Sequence, residues 1–236
     1  MALVAVSAAG GAAVTAMLDD DGGPVRTDAK ASPSPSTSVS STPSAQVEWR
    51  TPATSRSVHL VKPKLHENGI GTGFDNNGPG VVSAAVSYWE DLDLLDDVIA
   101  RRQWAAIAAS PDTVDEGVSE VRKLREGVGL PPSGGTPGGL TFSTNVNAVL
   151  ARSLDRSGDP VVVWMSYDRF ATTADEGVDD DPLRDETTHL ILTWQDGDWK
   201  VTTDPALEAK VRGPRAYDPA SKYAWADGWR RVTDAE

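Results

Sequence analysis

The sequence predicts an α+β domain in which N-terminal helices pack on a curved antiparallel sheet, and three observations predict it. Between Pro79 and Glu126, apolar residues recur every three or four positions, the period of helices that bury one face. After the Gly/Pro-rich loop LPPSGGTPGG (130–139) the period falls to two, the period of half-buried strands. Thr187 to Thr203 reads TTHLILTWQ-DG-DWKVTT, two strand-like runs joined by a dipeptide suited to a type I′ turn. Helices first and strands afterwards, rather than in alternation, place the helices on one face of the sheet.

In chain order, residues 1–18 (MALVAVSAAGGAAVTAML) carry no charge. As a helix they would span roughly 27 Å, close to the roughly 30 Å of a bilayer core. The run stops at Asp19, Asp20 and Asp21, which cannot remain unpaired in lipid. A membrane anchor is the expected reading, with the acidic side facing outward. A cleaved signal peptide and a buried soluble helix are the alternatives. No Lys or Arg precedes the run, as a signal peptide would require, although a start further upstream would supply that flank.

Residues 19–57 follow as a disordered linker. Within it, Ser32 to Ser44 (SPSPSTSVSSTPS) offers nothing apolar to bury, and its prolines keep it extended, so it is expected to act as a stalk. Residues 58–236 then form the folded domain. They hold 30 of the 35 acidic and 18 of the 22 basic residues, so nearly all of the net charge of −13 belongs to the domain. That excess of acid argues against nucleic-acid binding, which needs a concentrated positive footprint. The chain has no cysteine, which excludes disulfides, thiol nucleophiles and cysteine-held metals; three histidines make a histidine-rich metal centre improbable as well. No cofactor is expected.

The domain should open with an irregular glycine-rich entry, Gly69 to Gly80. It lacks the flanking strand of a dinucleotide loop and the Gly-Lys-Ser/Thr of a P-loop. A first helix is expected from Pro79 to Asp97, with Val81, Val82, Ala85, Tyr88, Trp89, Leu92 and Leu95 as its apolar stripe, and a second from Val98 to Ala109. Ser110-Pro111 supplies an N-cap and a first-turn proline for a third helix, Asp112 to Glu126, with Gly127 placed to cap its end. Strands are expected from Leu140 to Leu150 and from Pro160 to Phe170. For the second of these, either alternating set of side chains could face inward. In the hairpin, the Asp196-Gly197 turn sets Gln195 against Asp198, Trp194 against Trp199, Leu192 against Val201 and Leu190 against Thr203, so its large apolar residues share one face.

Three helices, long strands and a W-x-D-G-x-W-x-V hairpin resemble the NTF2-like (SnoaL-like, cystatin-related) superfamily, in which a curved sheet wraps the first helices in a cone. With the apolar N-terminal run and the Ser/Pro stalk, the chain resembles the extracytoplasmic NTF2-like domains of single-pass membrane proteins from actinobacterial conjugative and integrative elements. Those domains are in turn similar to scaffold proteins of Gram-positive type IV secretion. Gly71, Gly73, Phe74, Gly80, Val82, Ala84, Ala85 and Tyr88 are the residues most like that group. The resemblance covers roughly residues 68–215. It implies a non-enzymatic scaffold that works by contacts with cell-envelope proteins, copies of itself included. It leaves as alternatives an extracytoplasmic small-ligand-binding module and an isomerase or hydrolase, because a fold alone does not set a function.

Polar residues with chemical potential are few. The hairpin register extrapolates to His189 opposite Asp204, on the face away from Trp194 and Trp199. This low-ranked pair is expected at the surface or under a neighbouring segment, not in catalysis. Asp168 is expected to be a surface or turn acid. Asp175, Glu176, Asp179, Asp180 and Asp181 form an acidic loop without calcium-loop spacing. Tyr217, Tyr223, Trp225 and Trp229 crowd the C-terminal tail beside Lys222, Arg230 and Arg231. They either close the sheet as core or serve as interface anchors.

Overall fold

A computed structural model of the chain describes residues 56–173, 177–178, 181–216, 218 and 221–233. The expected membrane helix (1–18) and all but the end of the linker (19–57) lie outside the described residues, as do Tyr217 and the loop acids Asp175, Glu176, Asp179 and Asp180. Among the described residues, no helix is long and apolar enough to cross a membrane.

The elements run β1 (Val58–His59), β2 (Leu65–Glu67), β3 (Ile70–Thr72), α1 (Gly78–Asp91), α2 (Asp97–Ile107), α3 (Pro111–Gly127), β4 (Thr141–Ser153), β5 (Val161–Thr173), β6 (Gly177–Val178), β7 (Leu183–Gln195), β8 (Asp198–Thr202), α4 (Pro205–Glu208), α5 (Lys222–Asp227) and β9 (Arg230–Thr233). The main sheet has the order β1-β9-β4-β5-β7-β8, with β6 also paired to β5. Among the described strands, only the β1–β9 pair is parallel. The result is the expected α+β architecture: helices against a strongly curled, antiparallel-rich half-barrel.

Side-chain hydrogen bonds set where the helices begin and end. Asn77 caps α1 by accepting from Gly80 N, and Pro79 sits in its first turn. The helix ends six residues before the expected Asp97, because Asp93 diverts the chain. Its Oδ1 accepts from Leu95 N and Asp96 N, and Gln103 bonds both Asp93 N and Asp91 O. Asp and Asn side chains compete in this way for backbone N–H groups that a continuing helix would use. Asp96 then caps α2 through Val98 N and Ile99 N. Ser110 caps α3 as expected. At the end of α3, Gly127 remains helical and Gly129, at φ +80°, takes the left-handed position instead.

The entry segment begins as a hairpin, and residues 73–77 are irregular as expected. Asn68-Gly69 (φ 54° and 84°) joins β2 to β3, and β3 is fully buried against α1. The same turn chemistry appears at Asp196-Gly197 (φ 53° and 83°), and the β7–β8 register matches the expectation at Gln195–Asp198, Trp194–Trp199 and Leu192–Val201. β4 departs from simple alternation. A bulge at Asn147 shifts its pairing with β5, so Val146 and Val149 face the helices while Ala148 and Leu150 face away. A bulge inserts one residue and so reverses the side-chain faces beyond it.

Both sheet faces are covered. On the helix side, Val161, Val163, Met165 and Tyr167 of β5 meet Val82, Ala85, Val86 and Tyr88 of α1 and the hairpin residues Leu190, Leu192, Trp199 and Val201. On the other side, Val162, Trp164 and Ile191 meet Ala224, Trp225 and Trp229. The two alternating sets of β5 left open by the sequence are therefore both buried.

Gly117 of α3 lies against the Trp104 indole of α2, where an added Cβ would fall within the ring system. Alanine is the better helix former by up to about 1 kcal/mol, but the overlap should dominate. Gly117→Ala is expected to lower stability by about 1–3 kcal/mol, read as a lower urea midpoint with an unchanged slope.

Candidate functional site

The structure separates the His189–Asp204 pair. β8 leaves the ladder after Thr202, and Asp204 caps α4 by accepting from Ala206 N at 2.8 Å. Pro205 has no N–H with which to continue the ladder. His189 lies opposite Trp164 across β5–β7, its ring 4.4 Å from the indole. Its Nε2 is 3.3 Å from Glu208 Oε2 of α4, and its side chain is 12% exposed. It therefore packs between the sheet and α4. Asp168 also faces away from the helices; it accepts from Asp185 N at 2.9 Å and lies 4.0 Å from Arg184, bracing the β5–β7 irregularity.

The tail aromatics divide. Trp225 and Trp229 are each 1% exposed within the second core, and Trp229 Nε1 donates to Ala216 O at 3.1 Å. Arg152 and Arg215 hold Asp227, at 2.8 and 3.6 Å, and lock α5 in place. Tyr223 is 56% exposed, with Lys222 over its ring.

Among the described residues, aromatic and aliphatic side chains pack between helices and sheet. Tyr88 donates to Trp199 O at 2.7 Å, with its hydroxyl pKa pushed up by burial and then by the nearby Asp198 charge. Trp194 packs edge-on against Trp199, and Trp89 edge-on against Tyr167, both at 5.3 Å. An open, polar recess of about 300 Å³ lies at Asn76, Ser157, Gly158, Asp159 and Trp194, at the hairpin tip.

Two buried polar clusters went unread in the sequence. In the first, Asp97 is 2% exposed at the start of α2. It binds Arg122 (2.9 Å), Ser133 Oγ (2.9 Å) and Gly134 N (2.9 Å). The Gly134 N–H foremost, with Arg122 and Ser133, holds its carboxyl below the usual carboxylate range against the opposing effect of burial. Arg125, 3% exposed, donates to the carbonyls of Leu95, Pro131 and Gly135. Together these bonds clamp the 130–139 loop onto α2 and α3.

The second cluster lies where β4 and β5 run past the end of α1. Arg169 of β5 sits with its guanidinium carbon 5.2 Å from the Trp89 ring and 5.0 Å from the Tyr167 ring. Its Nε donates to Thr144 Oγ1 at 3.0 Å. Its Nη2 and the Trp89 Nε1 are buried and have no hydrogen-bond partner among the described residues. Burial pushes the guanidinium pKa down, while the neighbouring Tyr167 and then Glu186 push it up. The sequence signals were an arginine one residue beyond Asp168 in an apolar strand and a tryptophan within a helix stripe.

Comparison with protein-family models, curated proteins and solved structures returns no match.

Two outcomes follow from these placements. Asp97 titrates lower in the folded chain than its unfolded value of about 3.9. Its contribution to stability is therefore complete above that value and is lost as the pH falls through the lower folded value. Urea midpoints measured from neutral to strongly acidic pH should show this loss. Asp97→Asn should be less stable at pH 7 and lack that part of the pH dependence. Truncation after Gly213 removes Trp225, Trp229 and β9, so the product should lose cooperative unfolding; a folded truncation product would assign these aromatics to an interface instead.

Proposed function

We propose that the protein is a non-enzymatic, membrane-anchored scaffold. In this reading, residues 1–18 cross the membrane once, residues 19–57 form the stalk, and an NTF2-like domain stands outside the membrane. It acts through contacts with cell-envelope proteins, including copies of itself, in conjugative transfer or a related process. One observation carries the reading: the interior of the curled sheet is packed with Tyr88, Trp89, Trp199 and aliphatic side chains. A small-molecule enzyme or ligand carrier of this architecture would instead need an enclosed pocket with convergent polar groups. The acidic domain agrees with a stalk that holds it away from an anionic lipid surface. The exposed Tyr223 ring, beside Lys222, is a suitable interface contact.

Fractionation and protease shaving of intact cells test this reading. The protein is expected in the membrane fraction, with external protease cutting between residues 19 and 57 and releasing the domain. Recovery in the soluble cytoplasmic fraction, or protection from external protease, would remove both the topology and the scaffold role built on it.

A further inference from the structure

We propose that Arg169, Trp89 and Thr144 form a binding site for the carboxylate group of a ligand or partner chain, beside the end of α1. The inference goes beyond the scaffold role and does not depend on the membrane topology.

The first argument is charge. A guanidinium largely removed from water is stabilised by a compensating anion or a full set of acceptors. Arg125 shows the second solution in this same chain, donating to three backbone carbonyls. Arg122, itself half-exposed, is ion-paired to the buried Asp97 at 2.9 Å. Arg169 has neither: among the described residues no carboxylate lies within ion-pairing distance of it, and its acceptor there is the neutral Thr144 hydroxyl. Glu186, opposite Tyr167 in the β5–β7 ladder, acts on it only through space. Stacking on Trp89 and Tyr167 stabilises the cation's faces and leaves its edge as the part that must be satisfied.

The second argument is the donor set. Arg169 Nη2 and Trp89 Nε1 are both N–H donors, both buried and both without an acceptor. Neither can accept, so the missing partner is an acceptor. A carboxylate meets that need, and its planar pair of oxygens matches the guanidinium edge better than a spherical or tetrahedral anion does. The third argument is access. Arg169 keeps part of its surface, and β4 and β5 continue past it to Thr141 and Thr173 with Phe142, Ala171 and Thr173 only half-buried. A carboxylate would meet the guanidinium through that remaining exposed surface.

Titration of the full chain, labelled with ¹⁵N, tests the site. The probes are acetate and benzoate, an acidic peptide ending in a free carboxylate, and inorganic phosphate, all at constant ionic strength. The Trp89 indole N–H and the Arg169 Nε–H signals are expected to shift saturably with the three carboxylates and more weakly with phosphate. Tighter binding of the peptide assigns the carboxylate to a partner chain, and tighter binding of the free acids assigns it to a small ligand. Arg169→Met should weaken binding roughly ten- to hundredfold, the scale of a hydrogen bond to a charged group, while Arg101→Met should leave it unchanged. If Arg169→Met does not fold, Trp89→Phe, which keeps a stacking ring and removes only the N–H, should still weaken binding severalfold. Carboxylates that leave both signals unmoved, phosphate binding more tightly than any carboxylate, or unaltered affinity in the folded variants would each overturn the proposal.

Discussion

The Asp196-Gly197 turn sets the register on which the rest of the domain depends. Two consecutive residues with positive φ close the β7–β8 hairpin in a single alignment. A slip of one residue would carry Trp199 and Val201 from the helix side to the other face. The register also places Asp198 where its Oδ1 accepts from Phe74 N and Trp199 N. Trp199 in turn donates to Asp75 O through Nε1 and accepts from the Tyr88 hydroxyl through its carbonyl. The hairpin tip is thereby tied to the loop that launches α1, and the position of α1 fixes which strand residues it covers.

With that face closed by helices, the opposite face of β4, β5 and β7 still presents Leu150, Val162, Trp164 and Ile191. A sheet with apolar residues on both faces needs a second cover, and the C-terminal segment provides it. Thr203 bonds Thr113 as the chain leaves β8, α4 packs Glu208 against His189, and α5 delivers Trp225 and Trp229. β9 then enters the same sheet beside β4, with β1 along its outer side, so the two ends of the folded domain are neighbours. The tail is thus structural for a reason already present in PVVVWMSY: a run of apolar residues on both alternating sets describes a strand buried on both sides.

Elements specified by local chemistry were legible in the sequence. The DG hairpin, the Ser110-Pro111 start of α3 and the helix stripes all follow from interactions within a few residues. Asn68-Gly69 was equally local, but its flanking strands are only three residues each and reveal no period. The end of α1 was misplaced because Asp93 and Gln103 act together across ten residues. The bulge at Asn147 and the loss of the His189–Asp204 pairing depend on where a partner strand lies or ends, which periodicity does not encode. The buried clusters were the least legible. Asp97 and Arg122 are 25 positions apart, and Trp89 and Arg169 are 80 apart, brought together only when α1 lies along β5.

The domain's treatment of its other buried charges gives Arg169 its significance. Asp97 is enclosed by a cation, a hydroxyl and a backbone N–H. Asp227 meets two arginines, and Asp198 accepts two backbone N–H groups with Lys200 at 3.7 Å. In each case the cost of removing water is offset by directed partners, and in each case those partners join two segments that must stay together. Arg169 follows a different pattern. Its neighbours stabilise the faces of the cation, and they leave N–H groups on its edge and on Trp89 directed at no acceptor among the described residues. A structural role would be served better by an apolar residue or by a paired carboxylate, since replacing a buried ion with a well-packed apolar side chain is often neutral or stabilising.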